Sequence, residues 1–277
     1  MKGFQLSSRE YQENDTLIEI NTASKPLVIG QGHCTIIAGP CAVEDREGYL
    51  SIASFLKEAG AHALRGGLFK PRTSPYSFKG LGREGMEIML EARQLTGLPL
   101  VSEIMDVRDL DFLYDHIDIL QVGSRNMQNY SLLQELSRLD KPILLKRGLS
   151  ATIEEWMLAA EYILNGGNKQ VILCERGIRT FEPYMRNTVD IAAVALVKQL
   201  SHLPVIVDPS HATGRWRMVA PVARAAIAAG ADGVMVEVHP DPDNALSDGK
   251  QSLTPQNFSL MYRQIMDIAA LQNAELK

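Results

Sequence analysis

Cysteine is sparse in this chain of 277 residues, with Cys34, Cys41 and Cys174 the full set. So small and odd a number argues against a disulfide framework and for reduced thiols. Long apolar runs are missing too. No stretch approaches the roughly 18 residues of a membrane span, and the N-terminal MKGFQLSSREYQENDT has no apolar signal core. These absences predict a cytoplasmic protein with no membrane partner. Positive charge is not in excess either. With 28 Lys and Arg against 33 Asp and Glu, the formal net charge is -5, so long-range attraction to nucleic acid is not expected. Any anionic partner must therefore meet a local cluster of cations. Finally, no low-complexity linker divides the chain, and no CxxC or HExxH pair marks a short-range metal motif.

What is present is ordinary globular composition, 45% hydrophobic and 22% charged, arranged as a repeat. Short β-rich apolar runs alternate with longer segments of helical period from Thr35 onward. The strands are expected near Thr35 to Ala38, Ala63 to Gly66, Leu98 to Glu103, Ile119 to Val122, Pro142 to Lys146, Gln170 to Cys174, Val205 to Asp208 and Gly233 to Glu237. Between the fifth and sixth, Thr152 and Glu155 form a capping box ahead of the apolar face Ile153, Trp156, Met157, Ala160, Ile163 and Leu164. Gly166 and Gly167 end that helix. The last helix opens on Thr254 as N-cap and Pro255 at its first position.

Eight βα units of this length predict a (β/α)8 TIM barrel over 31–277, with a doubly wound open sheet as the competing arrangement. Residues 1–30 stand outside the repeat. Thr16 to Ile20 and Pro26 to Ile29 flank the turn-forming Asn21 to Ser24 and predict a β-hairpin that plugs the lower end of the barrel.

Reactive residue types fall at the ends of the expected strands. In a (β/α)8 barrel those carboxyl ends meet at one mouth. It would collect Cys41; Arg65, Lys70 and Arg72; Glu103; Arg125; Lys146; Glu175 and Arg176; Asp208 and His211; and Glu237. Six of these are cations, a self-repelling set unless anions neutralise it, and guanidinium forks suit carboxylate and phosphate. The substrate is expected to be strongly anionic. Cys41, His211, Glu237 and Asp248 offer a thiolate, an imidazole and two carboxylates, which suits a divalent transition metal such as Mn, Fe, Co or Zn and disfavours Mg and Ca. Taken singly, His211 in DPSHATG reads as a satisfied polar residue and Asp248 in PDPDNALSDG as a solvated turn. Only convergence of the first, seventh and eighth strands would bring these residues into one site.

Eight motifs carry a family resemblance: GPCAVE (39–44), LRGGLFKPRTSP (64–75), VSEIMD (101–106), GSRNMQN (123–129), LLKRG (144–148), CERGIRTFE (174–182), DPSHATG (208–214) and VEVHPDP (236–242). Over roughly 30–270 the sequence resembles the metal-dependent 3-deoxy-D-arabino-heptulosonate 7-phosphate (DAHP) synthases, the shorter type that groups with 3-deoxy-D-manno-octulosonate 8-phosphate synthases. The resemblance implies condensation of phosphoenolpyruvate with erythrose 4-phosphate and water, releasing phosphate, as the entry step of the shikimate pathway. It further implies Cys41, His211, Glu237 and Asp248 as metal ligands. Arg65, Lys70, Arg125, Lys146 and Arg176 would form the phosphoenolpyruvate pocket, and Arg72 and Thr73 would hold the aldose phosphate with Asp208 near its hydroxyls. Glu103 would handle the attacking water, with Lys70 or Lys146 as proton donor and His211 in the catalytic set. A homotetramer or homodimer is expected, with little feedback inhibition through a fused domain. KPRTS at 70–74 is similar to the heptulosonate enzymes, and that resemblance implies the four-carbon acceptor over arabinose 5-phosphate. A Schiff-base aldolase using Lys146 and a noncatalytic anion-binding barrel are the readings from other classes.

Overall fold

The computed structural model describes residues 3–22, 25–72 and 74–275, side chains of 273–275 excepted. Ten strands are found in it. β1 (Ile18–Ile20) and β2 (Leu27–Ile29) form an antiparallel pair with Ile18 opposite Ile29. The other eight are β3 (Thr35–Gly39), β4 (Ala63–Arg65), β5 (Leu100–Ile104), β6 (Ile119–Val122), β7 (Ile143–Lys146), β8 (Val171–Glu175), β9 (Val205–Val207) and β10 (Gly233–Glu237). They close in chain order into a parallel barrel in which β10 pairs with both β9 and β3. The open-sheet arrangement is thereby set aside.

The helices are α1 (Arg46–Glu58), α2 (Arg83–Thr96), α3 (Leu110–Tyr114), α4 (Tyr130–Leu136), α5 (Ile153–Asn165), α6 (Ile191–Leu200), α7 (Pro209–Thr213), which carries His211 at the mouth, α8 (Trp216–Ala228) and α9 (Pro255–Glu275). Among the described residues none is long and apolar enough to cross a membrane. The α5 capping box is present, Thr152 Oγ1 accepting from Glu155 N at 3.1 Å and Glu155 Oε2 from Thr152 N at 2.8 Å. At the head of α9, Thr254 Oγ1 accepts from Asn257 N.

Strand side chains alternate between two cores, as a period of two requires. Ile36, Leu64, Leu100, Leu120, Ile143, Val171, Val205 and Val234 face the helices. Ile37, Ala63, Val101, Ile119, Leu144, Ile172, Ile206 and Met235 fill the barrel, one from each strand. Both sides are buried, so the strands read as mostly apolar runs, with Ser102, Glu103 and Gln121 the polar exceptions inside β5 and β6. The same inner cluster contains Ile18, Ile20 and Ile29 of the hairpin. The expected plug is real, although Ala23 and Ser24 of its turn lie outside the described residues. Cys174 belongs to this interior core and Cys34 packs half-buried against the outer one. Both are packing residues.

Candidate active site at the carboxyl mouth of the barrel

Local sequence decides where each functional side chain sits. At the end of β3, Gly39 has φ +150°, and a Cβ there would lie 2.2 Å from the Arg65 carbonyl oxygen. Only glycine allows that approach, and the chain then turns through Pro40 to place Cys41 beside β4. The DPSHATG loop is a short capped helix. Asp208 accepts from His211 N, Pro209 holds the first position, and Gly214 ends α7 in the left-handed region. His211 therefore projects from the first turn toward Glu237, the last residue of β10. Asp248 is the one non-glycine residue with positive φ among those described, at +53°. The loop holding it is pinned by Glu44, whose carboxylate accepts from Leu246 N at 2.8 Å and Ser247 N at 2.9 Å.

These placements bring together donor atoms of Cys41, His211, Glu237 and Asp248, all within 4.8 Å of one another. His211 Nε2 lies 3.2 Å from Glu237 Oε1 and 4.0 Å from Asp248 Oδ2, and the Cys41 thiol lies 3.0 Å from Asp248 Oδ2. Behind the ring, His211 Nδ1 is 2.7 Å from Asp208 Oδ2. Burial holds the imidazole below its usual pKa against the pull of Asp208 and Glu237. Burial opposes ionisation of Asp208 as well, but His211 and Lys146 outweigh it and hold that carboxyl well below the usual range. A neutral imidazole donating Nδ1–H to Asp208 leaves the Nε2 lone pair aimed at two carboxylates. Acceptors facing acceptors in a buried space are costly, and a cation resolves the conflict. The donor set fits a divalent metal.

Glu237 is fully buried, yet its carboxyl is drawn down to about 2, the burial penalty being outweighed by His211, Arg65 and Lys70. Cys41 goes the other way. Burial and then Glu237 push its thiol up to about 12, only partly countered by Lys70. Without a bound cation the sulfur keeps its proton.

Around the cluster opens a cavity of ≈ 180 Å³. Its wall carries the six cations read from the sequence, Arg65, Lys70, Arg72, Arg125, Lys146 and Arg176, and adds Arg179 and Arg186. Against these eight stand two lining acids, Glu103 and Asp248. Three cations are matched: Arg65 with Glu237 at 2.7 Å, Lys146 with Asp208 at 2.5 Å and Arg186 with Asp248 at 3.6 Å. The other five, Lys70, Arg72, Arg125, Arg176 and Arg179, form no ion pair among the described residues. Lys70 and Arg176 instead donate to the carbonyls of Cys41 and His211. For Lys70, Cys41 and Glu103 overcome the opposing effect of burial and raise the pKa, so it stays charged. This is a wall built to receive anions.

Outside the donor cluster, two expected mouth residues do not line the cavity. Asp208 is fully buried beneath His211 and Lys146, its carboxylate engaged by both, and is not among the residues that line the cavity. Glu175 is also fully buried, pairing with Arg147 at 2.8 Å and accepting from Gly177 N. Thr73 lies outside the described residues. Arg179 and Arg186 escaped notice because both sit past the first cation after β8, where strand-end reasoning stops. Gln251 had no chemical signature, yet its amide donates to Glu237 Oε2 at 2.5 Å and accepts from Arg186 Nη1 at 2.9 Å.

The profile described as the DAHP synthetase I family matches residues 15–272. The chain belongs to the DAHP synthetase I family. Its relatives include the phospho-2-dehydro-3-deoxyheptonate aldolase of Thermotoga maritima, 51% identical over 269 residues, which are 97% of this chain and 78% of that protein. The crystal structure of that DAHP synthase superposes with a TM-score of 0.94 at 50% identity, covering 99% of this chain and 79% of the other. A truncated form of the Thermotoga enzyme gives 0.90 at 47% identity, with 98% of each chain covered. The 2-dehydro-3-deoxyphosphooctonate aldolase of Syntrophotalea carbinolica is a more distant relative, 34% identical over 88% of this chain and 94% of that one. Within the DAHP synthetase I family, the heptulosonate-forming branch is thus the nearer of the two considered. The imine chemistry considered for Lys146 also finds little support, since its ammonium is engaged by Asp208.

Proposed function

We propose that this chain condenses phosphoenolpyruvate with erythrose 4-phosphate and water, giving 3-deoxy-D-arabino-heptulosonate 7-phosphate and phosphate. The observation that carries the reading is one cavity in which five cations without an ion pair among the described residues stand beside His211 and Asp248, two of the four clustered metal-capable donors. Two phosphorylated substrates bring enough negative charge to satisfy such a wall.

Cys41, His211, Glu237 and Asp248 would hold one divalent ion, and the sulfur and imidazole favour Mn, Fe, Co or Zn over Mg or Ca. When bound, that ion supplies Lewis-acid polarisation of the aldose carbonyl. In this reading Lys70, Arg125, Arg176 and Lys146, with Arg65 behind them, fix the enolpyruvate phosphate and carboxylate. Arg72 and Thr73 fix the aldose phosphate. Holding two anions in register removes most of the entropic barrier to joining their carbons. C3 of phosphoenolpyruvate forms the new bond, positive character builds at C2, and water adds there. Glu103, on the cavity wall and set against Gly123, where a Cβ would come within 2.1 Å of its carboxylate, is placed to orient or deprotonate that water. Lys70 or Lys146 returns a proton as phosphate leaves with the bridging oxygen. Asp208 keeps His211 in the tautomer that offers Nε2.

The test is phosphate release with each acceptor and each substrate omitted in turn, using phosphoenolpyruvate labelled in its bridging oxygen. Label recovered in phosphate, with erythrose 4-phosphate turned over faster than arabinose 5-phosphate, supports the reading. Label retained in the sugar contradicts it. A homodimer or homotetramer in the cytoplasm completes the proposal, and sedimentation and cell fractionation measure both directly.

A further inference from the structure

We propose that Ser247 is a positioning residue that links Arg72, on the phosphate-binding wall, to the sulfur of Cys41 through one directed hydroxyl. The proposal rests on the reading of Cys41 as a metal ligand. Ser247 is 3% exposed, Cys41 1%. Arg72 Nη2 lies 2.5 Å from Ser247 Oγ, and Ser247 Oγ lies 3.0 Å from Cys41 Sγ. A guanidinium has donors and no acceptor, so the hydroxyl oxygen must accept from Arg72. Its single proton is then left for sulfur. The orientation is held from both sides: Glu44 accepts from Ser247 N at 2.9 Å, and Arg72 is itself tethered by Nε donating to the Phe78 carbonyl at 3.0 Å.

A directed chain results, Arg72 to Ser247 to Cys41, and with the thiol protonated it continues to Asp248 Oδ2 at 3.0 Å. On ligation the thiol proton departs and sulfur becomes a pure acceptor. The Ser247 O–H then makes a charge-assisted bond to a thiolate, drawing electron density from the sulfur and fixing its direction. No substrate atom needs to touch Ser247 for this. Arg72 acts at a distance by keeping the serine proton pointed at sulfur.

Cobalt(II) alone, added to the metal-stripped full chain without substrates, is the probe, read by its sulfur-to-cobalt charge-transfer band and by its dissociation constant. Ser247→Ala should move the band to lower energy and weaken cobalt binding about tenfold to a hundredfold. Ser247→Thr, which keeps the hydroxyl, should preserve both. Arg72→Met should shift the band the same way by a smaller amount and add nothing to Ser247→Ala. A Ser247→Ala protein with unchanged band and affinity overturns the link, as does a Thr variant as impaired as the Ala variant, which would assign the effect to shape. If the unsubstituted protein shows no sulfur-to-cobalt band, the assignment of Cys41 fails and this inference falls with it. A band that is present but indifferent to Ser247 defeats only the inference.

Discussion

Loading a metal onto the cluster should eject one proton from Cys41, and the number of protons released measures the site directly. Burial pushes the thiol up to about 12, so near pH 7 removing its proton costs on the order of 7 kcal/mol, five pKa units at about 1.36 kcal/mol each. An ordinary thiol near 8.5 would cost about 2 kcal/mol. The difference comes first from burial and then from the Glu237 charge, and a bound cation reverses both by neutralising the sulfur's surroundings. The other ligands contribute no comparable proton. His211 is held below its usual value by burial, and Glu237, at about 2, is already ionised.

The sign follows. Since the apo site keeps a proton that the loaded site lacks, apparent metal affinity rises with pH, about tenfold per unit and about a hundredfold from pH 6.5 to 8.5. Calorimetric titration of manganese or cobalt in buffers of different ionisation enthalpy counts the protons. One proton per metal is expected for the natural sequence. Close to none is expected for Cys41→Ser, whose hydroxyl stays protonated, and its affinity should fall while circular dichroism stays unchanged. Affinity that is flat across this range, or proton release that survives the substitution, refutes the reasoning.

Further outcomes follow from the surrounding network. Gln251→Leu removes the amide between Glu237 and Arg186 and should weaken metal binding about tenfold to a hundredfold without unfolding the barrel, as read by cobalt titration. Asp208→Asn leaves Lys146 buried without its counter-charge and should cost about 3–5 kcal/mol in a urea denaturation, along with activity. Gly39→Ala sets a Cβ against the Arg65 carbonyl and should cost at least about 3 kcal/mol or prevent folding, as judged by soluble yield and melting. Thr152→Ala, far from the mouth, removes the α5 cap and should cost about 1 kcal/mol with turnover unchanged.

The barrel was legible because the strands are buried on both faces and so appear as short, mostly apolar runs flanked by helical period. Ile119–Val122 and Gly233–Glu237 match the expected limits, and the other strands differ by a residue or two at their ends. The metal-capable cluster was legible only through closure. Cys41 and Asp248 are 207 positions apart, and nothing local in either motif says they meet. What sequence reasoning misplaced was burial. Asp208 and Glu175 look like mouth residues because they end strands, but which way a strand-end carboxylate turns depends on its cation, Lys146 or Arg147 here. What it missed were amides, hydroxyls and late-loop arginines. Gln251, Ser247 and Arg186 are ordinary surface residue types, and only the folded loop between β10 and α9 brings Gln251 and Ser247 to the ligands and to Arg186.

The central claim is that a metal held at the Cys41, His211, Glu237 and Asp248 cluster is required to join the two anions gathered on the cationic wall. Phosphate release by chelator-stripped protein, before and after adding back one equivalent of manganese, tests it most directly. No release is expected from the stripped protein with both substrates present, with full recovery on manganese addition and none when erythrose 4-phosphate is left out. Release that persists in the stripped protein, or that proceeds without the aldose phosphate, would contradict the account.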